Sequence, residues 1–251
     1  MVIKKAVEQI KDSGVIPMVL DAQRVLDFSG SVEGIRTSLT IKSLDLGVLT
    51  ANEYRYIARR TDQGARLVER NLEKLFYFYH DYKTEFPKAK FFTLSVYAKA
   101  LLNGELFKIL DGYFKTHPLV APEDICLEMS ADILFEDINA YKKEIQNLKQ
   151  LGVKIALCEV ASEFCPLLRL NEIEYDIVFL DKYFIDSLTE ENGESKASAV
   201  MNIIDSRPSK IYGSCIEKVS IPLLEKVGAD GYSLATDEEL QNKQWRVGGK
   251  E

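Results

Sequence analysis

The sequence is poor in the residues that build metal and disulfide sites. It contains two histidines, His80 and His117, and four cysteines, none of them in a CxxC pair. This pattern indicates neither a zinc ribbon nor a disulfide-stabilised scaffold, and it is typical of a protein in a reducing compartment. The sequence also lacks an apolar run of membrane-spanning length and a signal-peptide pattern at its start. We therefore expect a cytoplasmic protein that does not insert into a membrane.

An excess of positive charge is missing too. The 251 residues carry 32 Lys and Arg against 39 Asp and Glu, a formal net charge of −7. Nucleic-acid surfaces need clustered Lys and Arg, so we expect no nucleic-acid partner. No linker, low-complexity tract or tandem repeat divides the chain, and 46% hydrophobic residues can fill a large core. The sequence predicts one domain over residues 1–251.

Short apolar strands alternate with amphipathic helices through the second half of the chain. This alternation predicts right-handed crossovers and a parallel sheet. The predicted strands are 125–129, 153–157, 177–180, 210–212 and 230–234, and the predicted helices are 133–151, 197–204 and 221–227. The polar stretch 189–198 is interpreted as a loop.

The first half begins less regularly. A helix is predicted over 3–11, and extended segments are predicted over 15–20, 25–28 and 32–39, the last two on either side of the turn Ser29-Gly30-Ser31. Beyond Thr50, the pattern predicts helices over 61–82 and 101–114, separated by a strand over 91–96. About eight strands in a chain of this size favour an α/β fold, a single (β/α)8 TIM-like barrel with an irregular, hairpin-like N-terminal start.

Polar side chains follow several of the predicted strands. Glu128, Cys158, Glu159, Asp181 and Glu217 lie where strands end, and parallel strands deliver such residues to one mouth of a barrel. Converging carboxylates would suit Mg²⁺ and metal-assisted phosphoester hydrolysis. The alternative is that each carboxylate is solvated or paired with a nearby cation or backbone amide. Both histidines lie away from the strand ends, so Cys158 lacks the base that a nucleophilic thiol needs.

The succession of segments resembles EAL-type domains, the cyclic-di-GMP phosphodiesterase family. The resemblance covers nearly the whole chain in the correct order, and it implies a barrel. The segments that carry it include Glu53-Tyr54, Ala58-Arg59-Arg60-Thr61, Leu127-Glu128-Met129-Ser130, the run 151–157, Leu180-Asp181-Lys182, Ile216-Glu217 and Gly228-Ala229-Asp230-Gly231-Tyr232.

The same resemblance implies that much of the family's site is substituted. The metal-ligating signature glutamate falls on Arg36, the phosphate-contacting arginine on Thr40, the metal-ligating asparagine on Thr93, the first of two aspartates on Cys158, the catalytic lysine on Phe179, and the first glutamate of a late motif on Ser214. Glu128, Asp181 and Glu217 are retained at family positions, and Glu159 is a longer substitute for an aspartate.

These substitutions oppose hydrolysis. Arg36 adds positive charge where metal ions would bind, and Phe179 has no amine to orient a water molecule. We therefore expect no intact catalytic set, no metal and no cofactor. The predicted function is a catalytically inactive EAL-like domain that acts as a regulatory or protein-interaction module in bacterial signalling, with weak or altered cyclic-di-GMP binding at most. A protein partner is expected, and a homodimer is possible.

Two other functions remain open at this point. One is a cyclic-di-GMP phosphodiesterase with an altered metal site built from Glu128, Glu159, Asp181 and Glu217. The other is an unrelated barrel enzyme that binds an anionic substrate through Arg36.

Overall fold

Eight strands close into a barrel in the computed structural model, which describes residues 18–43, 47–61, 63–102, 104–163, 165–204 and 209–234. The strands, including a ninth outside the ring, are β1 (Met18–Asp27), β2 (Val32–Ser43), β3 (Gly47–Leu49), β4 (Phe92–Val96), β5 (Ile125–Ser130), β6 (Lys154–Val160), β7 (Ile177–Leu180), β8 (Lys210–Ile216) and β9 (Gly231–Leu234). The helices are α1 (Ala51–Arg60), α2 (Gln63–Glu85), α3 (Glu105–Thr116), α4 (Asn139–Gln150), α5 (Lys182–Ser187), α6 (Gly193–Ile204) and α7 (Ile221–Lys226).

One strand of the ring runs against the others. The hydrogen-bonding order is β1-β9-β8-β7-β6-β5-β4-β2, and pairing of β1 with β2 closes the ring. The strand β1 is antiparallel to both neighbours, whereas the other adjacent pairs of the ring are parallel. The short strand β3 pairs with β2 outside the ring. The predicted (β/α)8 TIM-like barrel and its hairpin-like start are confirmed.

Alternation along the strands decides which side chains reach the barrel interior. On β5 to β8, Cys126, Cys158, Phe179 and Tyr212 belong to one buried interior cluster, while the intervening residues face the helices, as expected for a strand period of two. The aromatic rings of Phe91, Phe179 and Tyr212 contact one another at centroid distances of 5.8 to 6.5 Å. Since Glu128 lies two residues beyond Cys126, its carboxylate also points inward, above this aromatic layer.

Some element boundaries differ from those predicted. The predicted segments 15–20 and 25–28 belong, as far as they are described, to the single strand β1, because β1 pairs with β2 along its length and absorbs a bulge between Val25 and Leu26. The predicted helix 133–151 is divided into a 3₁₀ turn (Ala131–Phe135) and α4. The predicted loop 189–198 is too long: residues 189–192 form a turn, but α6 begins at Gly193 and buries Ala197 and Ile204.

The structure does not test two of the predictions. The helix predicted over 3–11 lies outside the described residues, and the assignment of 1–251 to one domain stays a prediction. Within the described ranges, no helix combines the length and the apolar character required to cross a bilayer.

Gly231 provides a test of the seam where β9 meets β1. A Cβ atom at this position would lie 2.0 Å from the carbonyl oxygen of Leu26, and a backbone oxygen cannot move aside without disturbing the pairing. We expect Gly231→Ala to lower the free energy of unfolding by about 1–3 kcal/mol, measured by urea denaturation. The matched control is Gly112→Ala in α3, where a Cβ meets nothing within 4 Å; it should raise stability by about 0.5–1 kcal/mol. Equal effects of the two changes would contradict the steric argument.

Candidate functional site

The guanidinium of Arg36 lies inside the mouth of the barrel and is held from several strands. Its Nε donates to Oε2 of Glu128 at 3.0 Å, and its Nη2 donates to the other carboxylate oxygen. A third nitrogen donates to the hydroxyl of Ser214, and the guanidinium carbon stands 4.1 Å from the ring centroid of Phe179. Arg36 on β2 thus joins Glu128 on β5, Phe179 on β7 and Ser214 on β8.

This pair is nearly closed to solvent and carries full charges. The side chains of Arg36 and Glu128 are 13% and 8% exposed. Burial by itself raises the pKa of Glu128, but the charge and hydrogen bonds of Arg36, together with Arg55 and Cys158, lower it more, so the pKa lies below its ordinary value. A two-point pairing of this kind is among the stronger interactions between ionised side chains. The mouth therefore contains an internal cation already matched to a carboxylate.

Cys158 adjoins the same carboxylate. Its side chain contributes a hydrogen bond that helps lower the pKa of Glu128. Burial, followed by the charges of Glu128 and Glu159, raises the pKa of the Cys158 thiol well above its ordinary value. Since the thiolate is the reactive form, Cys158 is neutral and poorly suited to act as a nucleophile.

Glu159 belongs to a second ionic cluster, which the sequence does not reveal. One of its oxygens accepts from Arg55; the other accepts from Arg59 at 2.7 Å and from the hydroxyl of Ser130 at 2.6 Å. Arg59 also donates to Asp132 at 3.0 Å. Arg55 and Arg59 lie one turn apart on α1, so one face of that helix is fixed to the end of β6. The capping box formed by Thr50 and Glu53 predicts the start of α1, but not the strand that its arginines contact.

The backbone around Glu159 is unusual. Glu159 has φ 59° and Ala161 has φ 63°, both in the left-handed region. Residues other than glycine occupy this region at a cost on the order of 1 kcal/mol each. The pairing of β6 with β7 shifts register between Leu157 and Val160 at the same place. The two arginines therefore hold a strained strand end.

The other residues that the resemblance assigns to the family's site lie in separate surroundings. Thr93 accepts at its hydroxyl from the backbone N–H of Thr37 at 3.1 Å, and the hydroxyl of Thr40 donates to Asp21. Asp181 caps α5, since its carboxylate accepts from the N–H of Tyr183 at 2.8 Å. Glu217 is exposed at the start of a 3₁₀ turn and makes no side-chain capping hydrogen bond there. The structure thus brings together Arg36, Glu128, Cys158, Phe179 and Ser214. Thr93, Thr40, Asp181 and Glu217 lie outside this group.

The carboxylate oxygens at the mouth of the barrel are not arranged to bind a divalent cation. Both oxygens of Glu128 accept from Arg36, and both oxygens of Glu159 accept from arginines. A hard cation such as Mg²⁺ requires several oxygen ligands and is repelled by a neighbouring guanidinium. Throughout the described residues, no group of three or more His, Cys, Asp and Glu side chains is arranged to hold a metal ion.

Comparison with known families decides the ancestry of this barrel. The family model "EAL domain" matches residues 18–231. The chain belongs to the EAL domain family. The resemblance carried by the sequence segments is therefore confirmed, and the alternative of an unrelated barrel enzyme is wrong because the match runs from the start of β1 to the start of β9.

Individual relatives of this EAL domain are distant. It is 22% identical over 230 residues to the probable cyclic di-GMP phosphodiesterase PdeA of Escherichia coli (strain K12), an alignment that covers 89% of this chain and 31% of that protein. The chain therefore spans about a third of that relative.

Solved structures of the family show the same fold. The EAL domain protein from Listeria monocytogenes EGD-e superposes with a TM-score of 0.75 at 17% identity, covering 95% of this chain and 94% of the other. The PaMucR phosphodiesterase in its c-di-GMP complex gives a TM-score of 0.73 at 16% identity, covering 92% of each chain. The c-di-GMP-bound S helix-GGDEF-EAL structure of Vibrio cholerae LapD gives 0.74 at 12%, covering 93% of this chain and 55% of the other.

A double-mutant cycle tests the Arg36–Glu128 pair. Arg36→Met or Glu128→Leu alone leaves one buried charge without its partner, and we expect each to lower the free energy of unfolding by about 3–5 kcal/mol. The double variant removes both charges, so it should recover most of that loss in urea denaturation. The control is Arg70→Ala, which removes the exposed pair with Glu73 on α2 and should change stability by less than about 1 kcal/mol. Additive losses in the double variant would contradict a coupled pair.

Acid titration tests the cluster around Glu159. Burial raises the pKa of Glu159, but Arg59, Ser130 and Arg55 lower it more, and the pKa lies below the ordinary value of 4.5. Because the folded-state pKa is lowered, the stabilisation is present above the ordinary value and is lost as pH falls through the folded value. Between about pH 5 and about pH 3, the urea midpoint of Glu159→Gln should therefore fall less than that of the parent. A Glu159→Gln curve that follows the parent throughout this range would contradict the assignment.

Proposed function

We propose that this EAL domain does not hydrolyse cyclic-di-GMP and acts instead as a regulatory or protein-interaction module in bacterial signalling. The observation that carries the proposal is the position of Arg36. The resemblance to the family places a metal-ligating glutamate at this residue, and here a guanidinium occupies the mouth and engages both oxygens of Glu128. Metal-assisted hydrolysis needs an open, anionic site that activates water, and this arrangement offers neither property.

The surrounding substitutions support the same proposal. Phe179 is fully buried and supplies an aromatic face to Arg36 where the family has its catalytic lysine. Arg36 is thereby stabilised, because a cation over a ring in a desolvated site gains about 2 kcal/mol or more. Ser214 adds a neutral acceptor where the family has a carboxylate. We infer that Arg36, Glu128, Phe179 and Ser214 form a structural unit that replaces the metal site.

Cyclic-di-GMP binding is proposed to be weak or altered. The family's phosphate-contacting arginine falls on Thr40, whose hydroxyl donates to Asp21 instead. A neutral hydroxyl that is already engaged cannot replace the paired, charged hydrogen bonds of an arginine to a phosphate.

The test is an activity assay on the full chain. Purified protein is incubated with cyclic-di-GMP and either Mg²⁺ or Mn²⁺, and products are separated by anion-exchange chromatography beside an active EAL phosphodiesterase. We expect no linear dinucleotide from this chain. Turnover that Glu128→Gln abolishes would overturn the proposal and establish an altered metal site. Calorimetric titration with cyclic-di-GMP completes the test, and a dissociation constant in the micromolar range or tighter would overturn the part that concerns weak binding.

A further inference from the structure

Two large apolar side chains stand exposed beside the mouth of the barrel. Phe135 ends the 3₁₀ turn that follows β5, and Leu168 lies in the 3₁₀ turn Leu167–Glu172 that follows the end of β6. Phe135 is 61% exposed and Leu168 is 89% exposed. The two turns pack against each other, and the surface that carries these two side chains is here called the Phe135–Leu168 patch. Removing two such side chains from water favours association with an apolar partner surface.

Carboxylates dominate the surroundings of the patch. Five acidic residues lie in the two turns or within two residues of them, namely Asp132, Glu136, Asp137, Glu172 and Glu174, and Glu163 lies in the segment that leads into the second turn. Cations among the described residues oppose some of them: Arg59 pairs with Asp132, Arg169 pairs with Glu172 at 2.8 Å, and Lys142 acts on Glu172 through space. Glu136, Asp137, Glu163 and Glu174 are exposed. The patch is thus an apolar surface with an excess of negative charge at its edge.

We propose that the Phe135–Leu168 patch docks a partner protein segment whose large apolar anchors are flanked by Lys and Arg. The inference rests on the proposed interaction function, and it names the surface and the partner's chemistry. Complementary charge favours a basic segment and raises its rate of encounter. The acidic edge opposes an anionic membrane surface. A symmetric contact with a second copy would place two patches of the same negative charge against each other, which opposes that occupant as well.

Peptide selection on the full chain tests this proposal. A displayed library of random 16-residue peptides is the probe, and the enriched peptides are synthesised with a fluorescent label for anisotropy titration. Enriched sequences should carry aromatic or aliphatic residues flanked by Lys or Arg. Their binding should weaken at least about tenfold with Phe135→Ser or with Leu168→Ser, as expected for anchors at the centre of an interface. It should also weaken as salt increases.

The chain offers a matched control. Leu119 is 83% exposed and precedes β5, at the opposite end of the barrel, so Leu119→Ser should leave peptide binding unchanged. All three substitutions are at exposed positions, and equal thermal midpoints would show that the fold is retained. A failure to enrich any peptide, enrichment without positive charge, or binding that survives Leu168→Ser would each overturn the proposal. A concentration-dependent dimer in light scattering that Leu168→Ser abolishes would overturn it in favour of a second copy.

The outcome is separable from that of the activity assay. If the peptide experiments overturn the docking proposal and the activity assay detects no hydrolysis, the inactive-domain proposal still stands. Hydrolysis of cyclic-di-GMP overturns the inactive-domain proposal whatever the peptides do.

Discussion

The pairing of Arg36 with Glu128 is the interaction on which the rest of the barrel mouth depends. Neither charge could be kept in this nearly closed position alone, because an isolated ion loses hydration that the protein interior does not restore. Together they form two parallel hydrogen bonds between strands that are not neighbours in the ring. Phe179 and Ser214 then complete the surroundings of the guanidinium. The substitutions at these positions are consistent with one another, and each is less costly because the others are present.

The cluster around Glu159 extends this organisation to the rim. Arg55 and Arg59 connect α1 to the end of β6, where two residues other than glycine adopt left-handed backbone angles. The stretch 160–166 that follows contains no glycine. Ion pairs and a hydrogen bond from Ser130 therefore stabilise a conformation that glycine would adopt without strain. The loop that continues from this point carries Leu168.

Much of the architecture can be predicted from the sequence, because the buried strands are short, apolar and evenly spaced. The strand Ile177–Leu180 agrees with the prediction residue for residue. The start of α6 could not be predicted from the polar residues 189–194, since burial of Ala197 and Ile204 against the barrel decides it. Residues 131–138 pose a related difficulty, because their apolar residues have helical spacing. The hydroxyl of Ser130 accepts a hydrogen bond from the backbone N–H of Asp132, and a 3₁₀ turn forms there instead of an α-helix.

The candidate site, too, could be predicted from the sequence only in part. The identities of the substituted residues follow from the resemblance, and so does the conflict between Arg36 and a metal ion. The partners of those residues do not follow, because Arg36 and Glu128 are 92 positions apart and meet only when the ring closes. The contacts of Arg55 and Arg59 with Glu159 likewise depend on how α1 lies against the mouth. Spacing in the sequence carries no signal for contacts of this kind.

A cation that belongs to the polypeptide differs from a bound ion in one respect. Magnesium or manganese would occupy such a cavity according to its concentration, and a chelator could withdraw it, whereas the guanidinium of Arg36 has no dissociation equilibrium. Its local concentration is fixed by the chain itself. The guanidinium of Arg36 is therefore in place from the moment the strands assemble, whatever the concentration of divalent ions around the barrel.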